Sequence, residues 1–248
     1  MQITESVQVN PPQNVFDELL AMYNQGNLHL ATDRAEKLTK KFPKSPILWN
    51  ILGAVNTRMQ KTQEAMQCYE KAIELRHDYA EAHNNLGNLL KNEGQHEKAI
   101  ISYKKALEIK SDLYDANYNL GVIFQEREDY PSAMICYSKV LDVKHDYENA
   151  LNNLGNIYRE MGEFEKSLNT LNKAEKMHPK SAEIKNSIGL ICRDQGNLDK
   201  AIESYKKAIL LNINYAEAHN NLGIVFREQG DFKKAIDSYK KAIEINPK

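Results

Sequence analysis

The feature that most constrains the fold of this chain is an internal repetition with a fixed period of 34 residues. The octapeptide AEAHNNLG occurs at 80–87 and again at 216–223, four periods later. With position 1 of a unit placed at residue 80, the chain from residue 12 onward aligns without insertion or deletion. The units are then 12–45, 46–79, 80–113, 114–147, 148–181, 182–215 and 216–248. A fixed period of this size is typical of a solenoid of stacked supersecondary units.

Each unit is predicted to contain two helices, because the apolar residues of 80–93 and of 97–109 recur at helical spacing. Position 15 lies between the two helices and is glycine in five units, which indicates a tight turn or a positive φ. Position 8 lies inside the first helix and is glycine in six units, which would let the paired helices approach closely. Proline at position 32 is expected to end the second helix in the units that contain it.

The second unit resembles the signature of the tetratricopeptide repeat (TPR) family at Trp49, Leu52, Gly53, Ala65, Tyr69 and Ala72. The resemblance covers residues 12–248 as a single TPR array and is closest in kind to the repeats of O-linked N-acetylglucosamine transferases and bacterial TPR proteins. It implies an all-α fold, a right-handed α-solenoid superhelix of seven 34-residue helix-turn-helix units. Residues 1–11 are predicted to be a flexible leader, and the atypical first unit to be an N-terminal cap.

Composition and motifs exclude several function classes. The net charge of −1 gives no reason to expect nucleic acid, and no apolar run approaches the roughly 20 residues of a membrane span. The chain has no GxGxxG, GxxxxGK, HExxH or CxxC motif, so we expect no catalysis, no cofactor and no metal. Cys68 and Cys136 share position 23, two repeats apart and too distant for a disulfide, which indicates structural thiols and a cytoplasmic protein. His83 and His219, at position 4, are interpreted as packing or groove-edge residues.

The TPR resemblance implies that the first helices line a concave groove, and helical geometry assigns positions 2, 5, 6, 9, 12 and 13 to that face. Asparagine is a mediocre helix former, yet it fills this face repeatedly. A carboxamide both donates and accepts, so a row of asparagines could hold the backbone of an extended peptide. The alternative is that the position 6 asparagines serve the helix start or bonds between repeats. The candidate peptide-binding residues are Asn50, Asn84, Asn85, Asn88, Asn119, Asn152, Asn153, Asn156, Asn186, Asn220, Asn221, Arg159, Arg193 and Arg227.

The function predicted is a non-catalytic scaffold or adaptor that binds an extended segment of partner proteins. The alternative is the substrate-recognition arm of a larger glycosyltransferase-like or other enzyme whose catalytic domain is absent here. A receptor for acidic C-terminal tails is disfavoured, because family members of that type carry lysine at position 5 and no repeat here does. The last repeat keeps the apolar residues Ile236, Tyr239 and Ile243 of an interior repeat. This pattern predicts an uncapped apolar face, with either a longer natural chain or end-to-end self-association.

Overall fold

The computed structural model describes residues 9–247, and these residues contain fourteen α-helices and no β-strand. The helices alternate between the first and the second helix of a repeat, which confirms the predicted all-α fold of seven helix-turn-helix units. Their bounds are α1 Gln13–Asn24, α2 Leu28–Lys41, α3 Pro46–Arg58, α4 Thr62–Leu75, α5 Ala80–Asn92, α6 His96–Ile109, α7 Tyr114–Glu126, α8 Tyr130–Val143, α9 Glu148–Glu160, α10 Phe164–Met177, α11 Ala182–Asp194, α12 Leu198–Leu211, α13 Ala216–Glu228 and α14 Phe232–Ile245.

The turn inside each repeat has a left-handed backbone at position 15. The five glycines there have φ between +70° and +79°, which confirms the predicted positive φ. The two repeats without glycine keep the same geometry, with φ of 60° at Gln60 and 59° at Glu128. Since side chains with a Cβ adopt this region at a cost, the turn is imposed by the packing of its two helices.

The glycines at position 8 allow the two helices of a repeat to touch. A methyl group added at Gly87 would lie 2.7 Å from Cε1 of Tyr103, and one added at Gly189 would lie 2.5 Å from Cε1 of Tyr205. Both tyrosine rings are fully buried. In the fifth repeat Leu171 replaces the tyrosine and contacts the glycine in the same way. Position 8 is therefore where the first helix receives the side chain of position 24.

The chain divides into two compact units, residues 1–123 and 124–248. In the first unit, α1 contacts α3 and α3 contacts α5, so successive first helices lie side by side. In the second unit, α9 contacts α11 and α11 contacts α13 in the same arrangement. Buried side chains such as Leu48 and Val55 fill the core of the first unit, and Ile191 and Val225 that of the second. Each unit thus presents a surface made only of first helices.

Residues 1–8 of the predicted leader lie outside the described residues. Within the described part of that segment, Pro11 is buried. The hydroxyl of Ser45 donates to Oδ1 of Asn10 at 2.6 Å. Ser45 also caps α3, because its side chain accepts from the N–H of Leu48. Asn10 is thus hydrogen-bonded to the residue that caps α3.

Candidate peptide-binding face

The fourteen candidate residues all lie on first helices, but they differ in how far they reach the surface. Asn220 and Arg227 are exposed. Asn84, Asn186 and Asn221 are buried, with 8%, 2% and 6% of their surface exposed. The other candidates are half-buried. Except for Asn220 in the last repeat, the asparagines at positions 5 and 6 are therefore at least half-buried, deeper than a simple groove face would place them.

In the first unit the carboxamides bond to one another across repeats. Nδ2 of Asn85 donates to Oδ1 of Asn50 at 3.0 Å, and Nδ2 of Asn119 donates to Oδ1 of Asn88 at 3.0 Å. The Tyr103 hydroxyl also donates to Oδ1 of Asn88, at 2.8 Å. Position 6 of one repeat thus binds position 5 or 9 of the repeat before it. This geometry supports the alternative that position 6 serves bonds between repeats.

The second unit repeats this bond once and departs from it elsewhere. Nδ2 of Asn221 donates to Oδ1 of Asn186 at 3.0 Å, as in the first unit. Asn153 instead donates to the hydroxyl of Tyr137 at 3.0 Å. Oδ1 of Asn152 and Oδ1 of Asn156 are buried and have no hydrogen-bond partner, and the same is true of Oδ1 of Asn84 in the first unit. The face therefore includes carboxamides that bond between repeats and carboxamides whose oxygen is unpaired.

Two arginines of the face are held in ion pairs around one carboxylate. Nη1 of Arg159 lies 2.7 Å from Oδ2 of Asp194, and Nη2 of Arg193 lies 3.1 Å from Oδ1 of the same residue. Arg159 also pairs with the adjacent Glu160. Burial raises the pKa of the neighbouring Tyr205 hydroxyl, so that group stays protonated at neutral pH. The cluster is electrically balanced, so it gives no strong attraction for a charged ligand.

Comparison with protein-family models identifies the repeats. The model described as Tetratricopeptide repeat matches residues 112–180, 148–211 and 180–248. A second model described as TPR repeat matches 53–94, and a further Tetratricopeptide repeat model matches 80–113. The chain belongs to the tetratricopeptide repeat family. Proteins of this family generally mediate protein–protein interaction.

Several solved TPR structures are similar to this chain. YrrB, described as a TPR protein with an unusual peptide-binding site, is 26% identical with a TM-score of 0.56, covering 73% of this chain and 94% of its own. A TPR protein from Parabacteroides merdae is 19% identical with a TM-score of 0.75, covering 94% of this chain and 93% of its own. The Cut9–Hcn1 hetero-tetramer of the APC/C is 20% identical with a TM-score of 0.73, covering 92% of this chain and 45% of its own. No curated protein gives a significant match.

Position 4 of the TPR units makes a bond that the sequence interpretation missed. The Nε2 atom of His83 lies 3.1 Å from the carbonyl oxygen of His77, and His219 makes the same contact at 3.1 Å. Nε1 of Trp49 donates to the carbonyl of Pro43 at 2.9 Å. In each case the carbonyl lies six residues earlier, in the turn between repeats. The sequence signal that could have revealed this bond is the recurrence of a ring N–H at position 4. The bond fastens the turn between repeats.

The three cysteines, Cys68, Cys136 and Cys192, are buried and form no disulfide. Burial raises the pKa of the Cys68 thiol from 9.0 to about 11. Nδ2 of Asn56 lies 3.8 Å from its sulfur. Burial also raises the pKa of Cys192. A thiol protonated at neutral pH is a poor nucleophile, so these side chains fill space in the helix packing.

The last TPR unit exposes apolar side chains that an interior unit buries. Ile236 and Ile243 are 53% and 62% exposed, whereas Ile100, at the position of Ile236 in the third repeat, is 7% exposed. Beside them, residues including Ile213 and Ile245 line a concavity of about 810 Å³. The expected apolar face is therefore present on the second unit.

No helix within 9–247 is long and apolar enough to cross a bilayer. The same residues contain no group of three or more His, Cys, Asp or Glu side chains that could hold a metal ion.

Proposed function

We propose that this chain is a non-catalytic scaffold that binds an extended segment of partner proteins on the surface formed by its first helices. The observation that carries the proposal is that the first helices of each unit carry carboxamides, on α3, on α5 and at Asn119 in the first unit and on α9, α11 and α13 in the second, which provide donors and acceptors without a strong net charge. Such a surface suits recognition of a peptide backbone more than recognition of charged side chains. The peptide-binding site attributed to YrrB, which is 26% identical, supports the same assignment.

We also propose that the protein is cytoplasmic, and that two chains associate through the exposed apolar face of the last repeat. Three buried cysteines that form no disulfide support a reducing compartment. The exposed Ile236 and Ile243 support association, because contiguous apolar patches usually mark interfaces.

The test is an unbiased selection of peptides. A display library of random 16-residue peptides would be selected on the purified chain, and the enriched peptides synthesised and measured by isothermal titration calorimetry. We expect binding that weakens when exposed groove residues are changed, as in Asn220→Ala with Arg227→Ala on α13. The matched control is Lys206→Ala with Lys207→Ala, exposed residues on the second helix α12, which should leave affinity unchanged. Failure to enrich any binder, or loss of binding only in the control, would refute the proposal.

A further inference from the structure

The exposed apolar residues of α14 form a single stripe along the helix. Phe232, Ile236 and Ile243 are 65%, 53% and 62% exposed, and Tyr239 between them is half-buried. In the sixth repeat the residue equivalent to Tyr239 is Tyr205, which is fully buried because α13 packs against α12. The four residues of α14, which we call the α14 seam, are therefore the face on which a second helix receives another helix.

The spacing of the α14 seam suits pairing with an identical helix. Its residues are four, three and four positions apart, which is the alternation of the a and d positions in a two-stranded coiled coil. In one antiparallel register Phe232 lies level with Ile243 of the partner subunit. In the same register Ile236 lies level with Tyr239 of the partner subunit. The seam is thus self-complementary, because a single two-fold rotation gives each of its residues an apolar neighbour.

The first repeat does not offer a face that could cover the α14 seam. The first helix that packs on a second helix presents buried apolar residues at positions 3, 7 and 10, which in α13 are Ala218, Leu222 and Val225. In α1 the first two of these positions are Asn14 and Glu18, both exposed, and Glu18 pairs with Arg34 at 3.1 Å. Covering the seam with α1 of another copy would take this ion pair out of water, so head-to-tail stacking is disfavoured.

Two physical arguments favour antiparallel over parallel pairing of two α14 helices. Antiparallel neighbours place the positive end of one helix dipole beside the negative end of the other. A two-fold rotation that makes the helices antiparallel also leaves α13 of both chains on the same side of the α14 pair. The layer of first helices and the layer of second helices then continue from one chain into the other. In a parallel pair the two α13 helices would lie on opposite sides.

We infer that two copies of this chain form a closed dimer in which the α14 seams pair antiparallel across a two-fold axis. The inference rests on the association included in the proposed function, and it names the surface, the partner and the symmetry of that association. Because both chains use the same surface, assembly stops at two copies and does not grow into a filament.

The antiparallel register makes one electrostatic contact that can be tested. Lys233 and Lys240 each follow a seam residue and are exposed, on the edge of the seam opposite the buried Ala235. In this register Lys233 is two residues, about 3 Å along the axis, from the level of Lys240 of the partner subunit. The two-fold axis repeats this contact between like charges, so the dimer should be weakest at low ionic strength.

The experiment is analytical ultracentrifugation of the full chain over a series of concentrations. Lys240→Glu turns two repulsions into two attractions, so the dimer should tighten about tenfold at low salt and gain less in concentrated salt. The matched control is Lys206→Glu, the same change at the same position of α12, which should leave association unchanged. Ile243→Glu should give a monomer whose melting temperature is not lowered below that of the monomeric wild type, because Ile243 is exposed in the single chain.

Cross-linking distinguishes the antiparallel from the parallel dimer. A mixture of Lys233→Cys and Lys240→Cys chains should be joined by a short bismaleimide, since the three native cysteines are buried. Lys233→Cys alone should not be joined, because the two copies of that residue are nine residues, about 13.5 Å, apart along the axis.

The outcomes separate this inference from the proposed function. Cross-linking of Lys233→Cys alone, no gain from Lys240→Glu, or species that keep growing with concentration would overturn the antiparallel dimer and leave association through the last repeat intact. A chain that stays monomeric both with and without Lys240→Glu would overturn the association and its geometry together, and peptide binding on the first helices would be unaffected.

Discussion

The close approach of paired helices can be tested at Gly87. Gly87→Ala places a Cβ 2.7 Å from Cε1 and 2.8 Å from Cδ1 of Tyr103. Carbon atoms in contact are separated by about 3.5 Å or more, so ring and helix must move apart by about 0.8 Å. The ring cannot move freely, because it is fully buried and its hydroxyl donates to Asn88 at 2.8 Å.

The expected change in the free energy of unfolding of Gly87→Ala combines opposing effects. Overpacking of this kind costs about 1–3 kcal/mol, and weakening the bond from Tyr103 to Asn88 adds up to about 1 kcal/mol. Against this, alanine in a helix interior is about 0.5–1 kcal/mol more favourable than glycine. The net change in the free energy of unfolding is therefore a loss of about 2 kcal/mol. In a Tyr103→Ala background the obstacle is absent, so the same change should stabilise by about 0.5–1 kcal/mol.

Urea titration followed by circular dichroism would measure both differences, and amide exchange of α5 and α6 would locate them. The sign reversal between the two backgrounds is the decisive result. If Gly87→Ala were equally harmful without the Tyr103 ring, the contact would not be the reason for glycine at position 8.

Three further predictions follow from the turns, the thiols and the last repeat. Gln60→Gly should raise the free energy of unfolding by about 1 kcal/mol, because Gln60 has φ of 60°, and Gly94→Ala should lower it by a similar amount. Melting temperatures that do not shift in opposite directions in the two variants would contradict the left-handed turn at position 15. Between pH 9 and 11 the unfolded chain releases the Cys68 proton while the folded chain keeps it, so the stability that the buried thiol contributes is present below pH 9 and is lost as the pH rises. In Cys68→Ser the melting temperature should therefore fall less steeply between pH 9 and 11 than in the wild type. An equally steep fall in both proteins would contradict this prediction. Sedimentation over a concentration series should show association that Ile236→Glu removes and that Ile101→Glu, a control at a 63% exposed isoleucine of an interior repeat, does not; a monomer at every concentration would refute it.

Much of the fold could be predicted because the period places every residue in a known structural environment. Position 15 had glycine in most repeats, and the structure gives the same positive φ where Gln60 and Glu128 replace it. The small residue at position 8 indicated close helices, and the structure identifies the tyrosine that fills the space.

The candidate face was harder to predict because its chemistry depends on which side chains meet across repeats. The sequence showed that Asn85 and Asn153 share position 6, but not that one donates to Asn50 and the other to Tyr137. Those choices depend on rotamers and on the distance between first helices, which periodicity does not specify. The sequence shows Leu171 at the position of Tyr103 and Ser187 at the position of Asn119. That Oδ1 of Asn156 consequently lacks the donors that Oδ1 of Asn88 has could be seen only in the structure.

The fifth and sixth repeats are connected differently from the sixth and seventh. Asn186 and Asn221 join the later pair through neutral amides, whereas Arg159 with Asp194, and Lys185 with Glu175, join the earlier pair through opposite charges. Dissolved ions screen charges that are exposed and far apart, whereas the side chains of these two pairs are in contact and only 15–33% exposed. The ion pairs between the fifth and sixth repeats should therefore persist as ionic strength rises, so that this part of the array keeps its resistance to bending in concentrated salt.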